Sequence, residues 1–407
     1  MTSSGAPRTI LWVAEAVTLA HVARPLAALR TVDAARWQSV IAADPRVRHH
    51  FTGISARFHP LPAIDPDDFL HALRRGAPVY DTPTLRRYVD ADLSVLREAQ
   101  PDLVIGDFRL SLAVSARLAR IPYATIASAC WSPHYRPPRW PVPALTLTRS
   151  LPLPVAHALF RAARPIAFHR HAVPMNRLRR EYGLPVVHGD VRDVYTDADY
   201  VLYTDLPELF PARPLPANQW FVGPALWEPA PSAPWSWPDT AEGHARVYVT
   251  LGSSGAAELL PKIIEALRTM PVAALVATAW RAGPLPAAPN VRVAASLPGI
   301  EVAKSASVVV CNGGTLTCYQ ALSAGVPVVG IPSNLEQFLT CDAVERVGAA
   351  VTVRADRFST AAFRVALDRA LNDASVRRNA GEVARWCEGR RLEQPIPAFL
   401  RHVDAVP

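Results

Sequence analysis

Residues 307–337 contain a glycine turn of a kind that suits the binding of a phosphate group. An apolar run at 308–310 is followed by Asn312-Gly313-Gly314 and then by a helix-like segment at 315–323. In a strand–turn–helix unit, unpaired N–H groups and the positive end of the helix dipole point to one place, which favours an anion. The turn matches neither a Walker loop nor a GxGxxG fingerprint. From the glycines alone, an ordinary βαβ corner is therefore an equally good interpretation.

A histidine and an aspartate could form a second reactive group. His21 follows the apolar run 9–13, and Asp107 ends the strand-like run 101–107. The carboxyl ends of parallel strands share one edge of an open α/β sheet, where ligands bind, so we expect both side chains on one rim. A neutral histidine held by a carboxylate can take a proton from a hydroxyl. Taken alone, His21 is more often a surface or core residue, and Asp107 equally suits a helix N-cap.

Residues 130–154 combine aromatic side chains with many prolines. This composition favours a structured apolar loop that could form one wall of a site for a hydrophobic ligand, although a plain surface connection fits equally well. The candidate contact residues are Trp131, His134, Tyr135 and Trp140.

The elements that must position these residues fall into two series. Strands and helices alternate at βαβ spacing up to residue 203 and again from 247 onward, which predicts two parallel sheets in an α/β fold. Prolines and tryptophans accumulate between the series. The predicted units are a domain at 1–215, a linker at 216–243, a second domain at 244–385, and a C-terminal helix at 386–407 that is able to pack back on the first domain.

The charge composition bears on which partners the protein can bind. The net charge is +8, carried almost entirely by scattered arginines, with Lys262 and Lys304 as the two lysines. No basic run with interleaved aromatic residues is present, so nucleic-acid binding is not expected. The positive charge is still compatible with a basic surface that faces phosphate-bearing ligands or an anionic membrane.

Two further features bear on location and on metals. No stretch reaches the roughly 18 apolar residues of a membrane-spanning helix, and the first residues do not form a signal peptide, so we expect a cytoplasmic protein. The five cysteines include no CxxC pair, which predicts reduced core thiols. No carboxylate cluster has the character of a metal site.

Together these motifs resemble a GT-B glycosyltransferase of the UDP-glycosyltransferase superfamily, in the branch of bacterial natural-product glycosyltransferases. The family's G-H-x-x-P loop is similar to residues 20–25, with Ala for Gly and one extra residue before Pro25. Its donor motif, H-x-G-x-x-[ST]-x-x-E and then P-x-x-x-D-Q, is similar to residues 312–320 and 332–337. The resemblance covers nearly the whole chain. It implies two doubly wound Rossmann-like domains that face each other across a cleft.

The resemblance also implies a role for each motif residue. His21 would be the general base for the acceptor, and Asp107 would orient it. The donor diphosphate would contact Gly252, Ser253, Asn312, Gly313, Gly314 and Thr317. The nucleoside would contact Ser296, Leu297, Pro298 and Gln320, and the donor sugar would contact Glu336 and Gln337.

Three residues depart from the family's donor motif. Asn312 replaces a histidine, Gln320 replaces a glutamate, and Glu336 replaces an aspartate. Each substitution keeps the capacity for hydrogen bonding. Nucleotide-sugar binding is therefore expected, while the choice between UDP and dTDP stays open.

The resemblance thus implies inverting transfer of a sugar from a UDP- or dTDP-sugar to a hydroxyl or other nucleophile of an apolar small-molecule or lipid acceptor. The nucleotide sugar is a co-substrate, and no metal or cofactor is expected. The protein would be a monomer or a homodimer, with peripheral membrane contact possible.

Two other interpretations compete with sugar transfer. One is a non-catalytic GT-B protein that binds nucleotides or assists another transferase. The other is a serine hydrolase, in which Gly252-Ser253-Ser254-Gly255-Ala256 would form the nucleophile turn. α/β-Hydrolases place the catalytic histidine after the serine, and only His402 lies downstream.

Overall fold

The computed structural model describes residues 7–145, 148, 150–229, 234–281 and 283–405. They form two α/β units, each built on one parallel sheet. The strands of the first sheet are β1 (Arg8–Ala14), β2 (Trp37–Ala43), β3 (Arg57–Pro60), β4 (Leu103–Asp107), β5 (Tyr123–Ala127), β6 (Tyr200–Tyr203) and β7 (Gln219–Phe221). Those of the second are β8 (Ala245–Thr250), β9 (Val272–Ala277), β10 (Val291–Ala294), β11 (Val308–Cys311), β12 (Val328–Gly330) and β13 (Ala350–Thr352).

The helices follow the strands in chain order. The helices of the first unit are α1 (Leu19–Leu29), α2 (Pro66–Arg75), α3 (Thr82–Ala99), α4 (Leu112–Ala119), α5 (Leu153–Glu181) and α6 (Val191–Tyr195). Those that follow are α7 (Leu260–Arg268), α8 (Gly299–Ser305), α9 (Thr315–Ser323), α10 (Leu335–Arg346), α11 (Thr360–Asn372), α12 (Ala374–Glu388) and α13 (Pro395–Ala405). Short 3-10 turns lie at Pro45–Phe51, Ala129–Trp131, Ala257–Leu259 and Ala355–Arg357.

Each sheet is doubly wound, because its strand order reverses once near the middle. The first sheet has the order β3-β2-β1-β4-β5-β6-β7, and the second has the order β10-β9-β8-β11-β12-β13. The pairings between these strands are parallel. Ligands bind in such sheets beyond the carboxyl ends of the strands at the point of reversal, here between β1 and β4 and between β8 and β11. The predicted α/β fold with two Rossmann-like sheets is confirmed.

The central strands are apolar on both faces, as strands covered by helices on both sides must be. Ile10 and Trp12 of β1 pack in one cluster with side chains of α1. Leu11 and Val13 pack in another cluster with side chains of α3 and α4. Because successive side chains of a strand point to opposite faces, this single apolar run supplies two layers of core.

The chain's last helix lies against the first sheet. The Phe399 ring of α13 lies 5.5 Å from the rings of both Tyr200 and Trp220, and Asp404 pairs with Arg8 of β1 at 2.9 Å. Strand β7 pairs with β6, so residues 219–221 of the range predicted as linker belong to the first sheet. Three residues among many prolines are too short a run to predict a strand from the sequence.

Two sequence predictions concern the chain as a whole. The five cysteines are free and buried, as expected for core thiols. Among the described residues, no helix combines the length and apolar character needed to cross a membrane.

Candidate active site

Two loops of the first sheet bring His21 and Asp107 together. Asp107 is the last residue of β4 and is paired with Ala14, the last residue of β1. Helix α1 begins at Leu19, so His21 lies in its first turn. The His21 Nδ1 atom lies 2.7 Å from Asp107 Oδ1, and both side chains are buried. The two residues predicted as base and orienting carboxylate are therefore in contact.

A third residue, Arg24, completes this group, which we name the His21 cluster. Arg24 lies one helical turn after His21, on the same face of α1. Its Nε donates to Asp107 Oδ2 at 2.7 Å, and its Nη2 donates to Asp107 Oδ1 at 2.8 Å. Nη2 also lies 2.7 Å from His21 Nδ1. The sequence motifs predict no role for Arg24. The one sign of it in the sequence is the extra residue between His21 and Pro25, compared with the family's G-H-x-x-P loop.

The ring of Phe108 lies against the imidazole of His21. The rings of Phe108 and His21 stack with centroids 4.5 Å apart and an interplanar angle of 14°. The backbone of Phe108 has φ of 57°, in the left-handed region that aromatic residues rarely adopt. Such strain is common at functional sites. Here the left-handed backbone of Phe108, the residue after Asp107, places its ring over the imidazole of His21.

A buried network of charges joins the loops that follow β1 and β4. Arg109 donates from Nη1 to Glu15 Oε2 and from Nε to Asp92 Oδ1, both at 3.0 Å. Tyr88 donates its hydroxyl to Glu15 Oε1 at 2.9 Å. Burial raises the pKa of Glu15, although the charge and hydrogen bond of Arg109 oppose this effect. The network holds the two loops that carry the His21 cluster at a fixed separation.

The second sheet presents two glycine turns at its point of reversal. Asn312 Oδ1 accepts from the Gly314 N–H at 3.0 Å, and Asn312 Nδ2 donates to Ser254 Oγ at 3.3 Å. This side chain thereby joins the turn after β11 to the turn after β8, which begins at Gly252. Gly314 is the N-cap of α9 and no side chain caps the helix. The N–H groups of its first turn, where Thr317 lies, are therefore available to an anion.

The two domains meet where these loops face each other. Ser253 Oγ accepts from the Leu19 N–H at 3.2 Å, and the Ser253 carbonyl accepts from Arg281 Nη1 at 2.6 Å. Leu19 stands two residues before His21. The predicted base and a predicted diphosphate contact therefore lie on the two sides of one interdomain hydrogen bond.

A second interdomain contact joins the aromatic loop to the donor half. Trp131 Nε1 donates to Glu336 Oε2 at 3.1 Å. The Trp131 ring packs edge-on against Tyr195 at 5.2 Å and lies 6.3 Å from Phe168. Trp140 packs edge-on against Phe168 at 5.4 Å. Trp131 and Trp140 thus belong to one aromatic group. Through Trp131 this group contacts Glu336, which is predicted to contact the donor sugar.

The other residues predicted in the aromatic loop lie elsewhere. Tyr135 is 1% exposed and packs against Phe210, with its backbone bridged to Ala212. The loop folds back and places this ring in the core, where it presents almost no exposed surface to an acceptor. His134 is half-buried, and its carbonyl accepts from the Arg213 N–H at 3.1 Å.

Gln337 has an internal role in the structure. It forms a capping box with Asn334 at the start of α10. Its Oε1 accepts from the N–H and hydroxyl of Ser333, both at 2.9 Å, and its Nε2 donates to Ser254 Oγ at 3.2 Å. The side chain is not free to contact a sugar while these bonds hold. An Asn followed three residues later by Gln is a capping signal that the sequence contained.

The residues predicted to contact a nucleoside lie together at the start of α8. Pro298 is the N-cap of this helix, and Ser296 and Leu297 before it are buried. Gln320 is also buried and donates from Nε2 to the Trp227 carbonyl at 2.8 Å. A Cβ placed on Gly299 would lie 2.4 Å from Gln320 Oε1, which shows how closely the α8 and α9 residues approach.

One buried carboxyl group links the domains below the cleft. Tyr319 of α9 donates its hydroxyl to Asp205 Oδ1 at 2.9 Å, and the Ala129 N–H donates to Asp205 Oδ2 at 2.6 Å. Burial raises the pKa of Asp205 to about 6, although these hydrogen bonds and the positive charge of Arg24 act in the opposite direction.

Two doubly wound parallel sheets that face each other, with these loops between them, define a GT-B glycosyltransferase fold. The structure is similar to the glycotransferase of kitacinnamycin (TM-score 0.70, 21% identity, 97% of this chain and 99% of that one). It is also similar to the calicheamicin glycosyltransferase CalG4 (TM-score 0.67, 19% identity, 99% and 100%). A third neighbour is the spinosyn rhamnosyltransferase SpnG complexed with thymidine diphosphate (TM-score 0.67, 16% identity, 97% and 100%).

Sequence comparison identifies the family. Residues 267–401 match the family model "Erythromycin biosynthesis protein CIII-like, C-terminal domain". The chain is 42% identical over 396 residues to a PGL/p-HBAD biosynthesis glycosyltransferase of Mycobacterium tuberculosis (97% of this chain, 91% of the relative). It is 43% identical over 377 residues to a PGL/p-HBAD biosynthesis rhamnosyltransferase of Mycobacterium bovis (93% and 84%). The chain belongs to this GT-B family of UDP-glycosyltransferase-like enzymes, and it is a glycosyltransferase.

Proposed function

We propose that the protein transfers a sugar, with inversion, from a nucleoside diphosphate sugar to a hydroxyl of an apolar small-molecule or lipid acceptor. The observation that carries this proposal is the placement of the His21 cluster opposite a glycine turn. That turn combines an uncapped helix N-terminus with the polar side chains of Asn312 and Thr317, and the neighbouring turn after β8 adds Ser253. Direct displacement at an anomeric carbon requires a proton acceptor that faces an anion site, and this arrangement supports that proposal.

In the proposed reaction the acceptor oxygen forms a bond to the anomeric carbon as the bond to the diphosphate breaks. His21 takes the proton of the attacking hydroxyl, and Asp107 keeps the imidazole oriented. General-base help of this kind is worth about 10²–10⁴ in rate. The leaving diphosphate gains hydrogen bonds from the first turn of α9, from Thr317 and from Ser253. Because these groups carry the stabilisation, we expect turnover to continue in the presence of a divalent-metal chelator.

For the donor, we propose a dTDP-sugar before a UDP-sugar. Support comes from the relative named a rhamnosyltransferase and from the neighbour complexed with thymidine diphosphate. Glu336, bonded to Trp131, is proposed to contact the sugar hydroxyls. Nucleotide sugars are cytoplasmic metabolites, so we propose that the reaction takes place there.

The test is a thermal-shift panel of dTDP, UDP and GDP with their sugars, followed by chromatography of nucleoside diphosphate release. A true ligand at about 100 times its Kd stabilises a protein by roughly 2.7 kcal/mol. We expect a shift with one nucleotide, and release that depends on an added phenol or alcohol acceptor. No shift with any of the three would contradict the donor-site assignment.

A non-catalytic role is the second candidate. A shorter relative, 42% identical over 258 residues (63% of this chain), is named an inactive PGL/p-HBAD biosynthesis glycosyltransferase, and Asn312 and Gln320 depart from the donor motif. The intact His21–Asp107 pair opposes this reading. Nucleotide binding without release under any acceptor would support it. A serine hydrolase is disfavoured because His402, on α13, packs against Tyr200 and Trp220 of the first sheet, whereas Ser253 lies in the cleft.

A further inference from the structure

We propose that Arg24 is a positioning residue that keeps His21 neutral by balancing the charge of Asp107. This proposal rests on the proposed role of His21 as base. Arg24 binds both oxygens of a carboxylate that also contacts the imidazole. The three side chains are 5%, 0% and 7% exposed for Arg24, Asp107 and His21, so solvent screens their charges little.

The three contacting atoms define where the imidazole proton lies. His21 Nδ1, Asp107 Oδ1 and Arg24 Nη2 are separated pairwise by 2.7–2.8 Å. If Nδ1 carries its proton, Oδ1 accepts from both nitrogens. If Nδ1 instead accepts from Arg24, its lone pair faces the lone pairs of a carboxylate at 2.7 Å, which is repulsive. The Nδ1–H form is therefore favoured, and Nε2, for which the described residues supply no hydrogen bond, keeps the lone pair that a base needs.

Arg24 also opposes a second proton on His21. A buried carboxylate that faced only His21 would favour the imidazolium ion, which cannot accept a proton from a substrate. Arg24 supplies a permanent positive charge to that carboxylate, and an imidazolium ion would lie against a guanidinium group. One negative charge would then face two positive charges.

Other charged groups near the cluster keep Arg24 ionised. Burial acts to lower the pKa of Arg24, but the negative charges of Asp107, of Glu336 on α10 and of Asp205 after β6 outweigh it, so the pKa is raised. The remaining face of the imidazole is covered by the uncharged ring of Phe108. Arg24 is thus a cation that contacts both His21 and the carboxylate that they share.

The experiment is a pH titration of histidine ring nitrogens by NMR in protein labelled with ¹⁵N-histidine. It needs no substrate, and His21→Asn assigns the signal among the 12 histidines. In wild type we expect the Nδ1–H tautomer at neutral pH. In Arg24→Met the midpoint of the His21 titration should move up by more than one pH unit, because Asp107 then faces His21 alone. Arg24→Lys should keep the midpoint near wild type, and Arg24→Met with Asp107→Asn should reverse the increase.

An unchanged midpoint in folded Arg24→Met would overturn the proposal. If that variant does not fold, Arg24→Gln decides, because it keeps side-chain hydrogen bonding without the charge; the midpoint should rise in the same way, and no rise would be equally decisive. These outcomes are independent of turnover. Full activity of His21→Ala would contradict the proposed function. If the midpoint is nevertheless shifted in Arg24→Met, the role of Arg24 in the charge balance stands.

A different observation, on helix α5, supports a second proposal. Val155, Leu159 and Ile166 are 45%, 52% and 67% exposed. Their spacings of four and seven residues place them on one face of the helix. Three large apolar side chains in a row on a solvent-facing surface differ from the scattered exposed apolar residues of an ordinary protein surface.

The same helix is strongly basic. From Leu153 to Arg180 it contains no Asp or Glu. Its exposed arginines form no ion pair with any residue that the structure describes; they are Arg161, Arg170, Arg177 and Arg180. Arg170, Arg177 and Arg180 continue the face of the apolar row toward the end of the helix. This face therefore combines exposed apolar side chains with cations that form no ion pair among the described residues, which suits an anionic lipid surface.

We infer that this face of α5 docks on an anionic lipid surface. The side of the helix that faces the protein carries Phe168, which contacts the aromatic group of Trp131 and Trp140, and Trp131 donates to Glu336. One helix would therefore separate the membrane from the donor half. This arrangement deepens the proposed function by favouring an acceptor held in a lipid layer.

Co-sedimentation of the full chain with vesicles tests this inference. We expect binding to phosphatidylcholine vesicles that contain phosphatidylglycerol, weaker binding at high salt, and little binding to phosphatidylcholine alone. Val155→Ser with Leu159→Ser and Ile166→Ser should abolish binding. The control, Val293→Ser with Val365→Ser, removes two apolar side chains elsewhere that are 46% and 71% exposed and should bind like wild type.

Equal sedimentation of the triple variant and the control would overturn the inference, as would no binding of wild type to either vesicle. A wild-type dimer that the triple variant converts to a monomer, measured by light scattering without vesicle binding, would assign the face to a second copy. Sugar transfer to a water-soluble acceptor is measured separately, so its failure would concern the proposed function and not this surface.

Discussion

Trp131 of the first domain donates its indole N–H to the Glu336 carboxylate of the second domain at 3.1 Å. The bond closes the cleft at the point where the aromatic loop and the proposed sugar contact meet. It also orients the Glu336 carboxylate. The other oxygen of that carboxylate, Oε1, forms no hydrogen bond to the first domain among the described residues.

Trp131→Phe should weaken use of the donor sugar. The substitution keeps an aromatic ring but removes the donor to Glu336, and a hydrogen bond to a charged group contributes about 1.5–3 kcal/mol. We expect kcat/KM for the nucleotide sugar to fall by roughly tenfold or more, with dTDP affinity unchanged. Trp140→Phe is the control, since Trp140 belongs to the same aromatic group without contacting Glu336. Equal kinetics of the two variants would contradict a role of the Trp131–Glu336 bond.

Asn312 should govern affinity for the diphosphate. Asn312→Asp places a negative charge beside the uncapped N-terminus of α9, so repulsion should weaken dTDP binding by about tenfold or more by calorimetry. Asn312→His restores the residue of the family motif and should bind at least as tightly as wild type. If Asn312→Asp binds dTDP like wild type, the diphosphate does not lie at this turn.

Gly313→Ala should destabilise the second domain. Gly313 has φ of +78°, and an added Cβ would lie 2.4 Å from Cys341 Sγ, so we expect a loss of about 2–4 kcal/mol in unfolding by denaturant. The control is Gly381→Ala in α12, where a Cβ meets nothing within 4 Å. That substitution should be neutral or stabilising by up to about 1 kcal/mol. Equal stability of the two variants would show that the turn tolerates a side chain.

Asp205 should make stability depend on pH. Its folded pKa is about 6 against an ordinary value of 3.8, mainly because of burial. The folded state therefore holds more protons than the unfolded state between these values, so this contribution is fully present below pH 4 and is lost as pH rises through 6. Asp205→Asn has no titrating carboxyl group at this position and therefore lacks this pH-dependent contribution to stability. The difference in free energy of unfolding between wild type and the variant should change by roughly 2–3 kcal/mol from pH 4 to pH 7; a constant difference would contradict a raised pKa.

Much of the fold was predictable because its strands are continuous apolar runs bounded by clear turns. Runs such as 9–13 and 308–310 are bounded by turns and recur at βαβ spacing, which indicates buried strands of parallel sheets. The polar residues after them are then expected at one edge. His21 and Asp107 came together for this reason. Arg24 has no comparable signal, because an arginine within an apolar helix does not indicate which carboxylate it binds.

Two predicted site residues have structural partners in the protein that composition and motif alone do not reveal. Tyr135 was interpreted from the composition of its loop, but its pairing with Ala212 places it in the core. Gln337 was interpreted from a family motif, whereas the local Asn334–Gln337 capping box takes up its hydrogen bonds. In both cases a structural requirement, burial or helix capping, competes with a ligand for the same side chain.

The central claim, that His21 is the base of a sugar transfer, is tested most directly by comparing wild type with His21→Ala. The measurement is the rate of nucleoside diphosphate release from a saturating dTDP- or UDP-sugar, over a panel of phenol and alkanol acceptors, with dTDP affinity measured in parallel. We predict a fall in acceptor-dependent rate of about 10²–10⁴ with unchanged nucleotide affinity. Equal rates in the two proteins would contradict the claim.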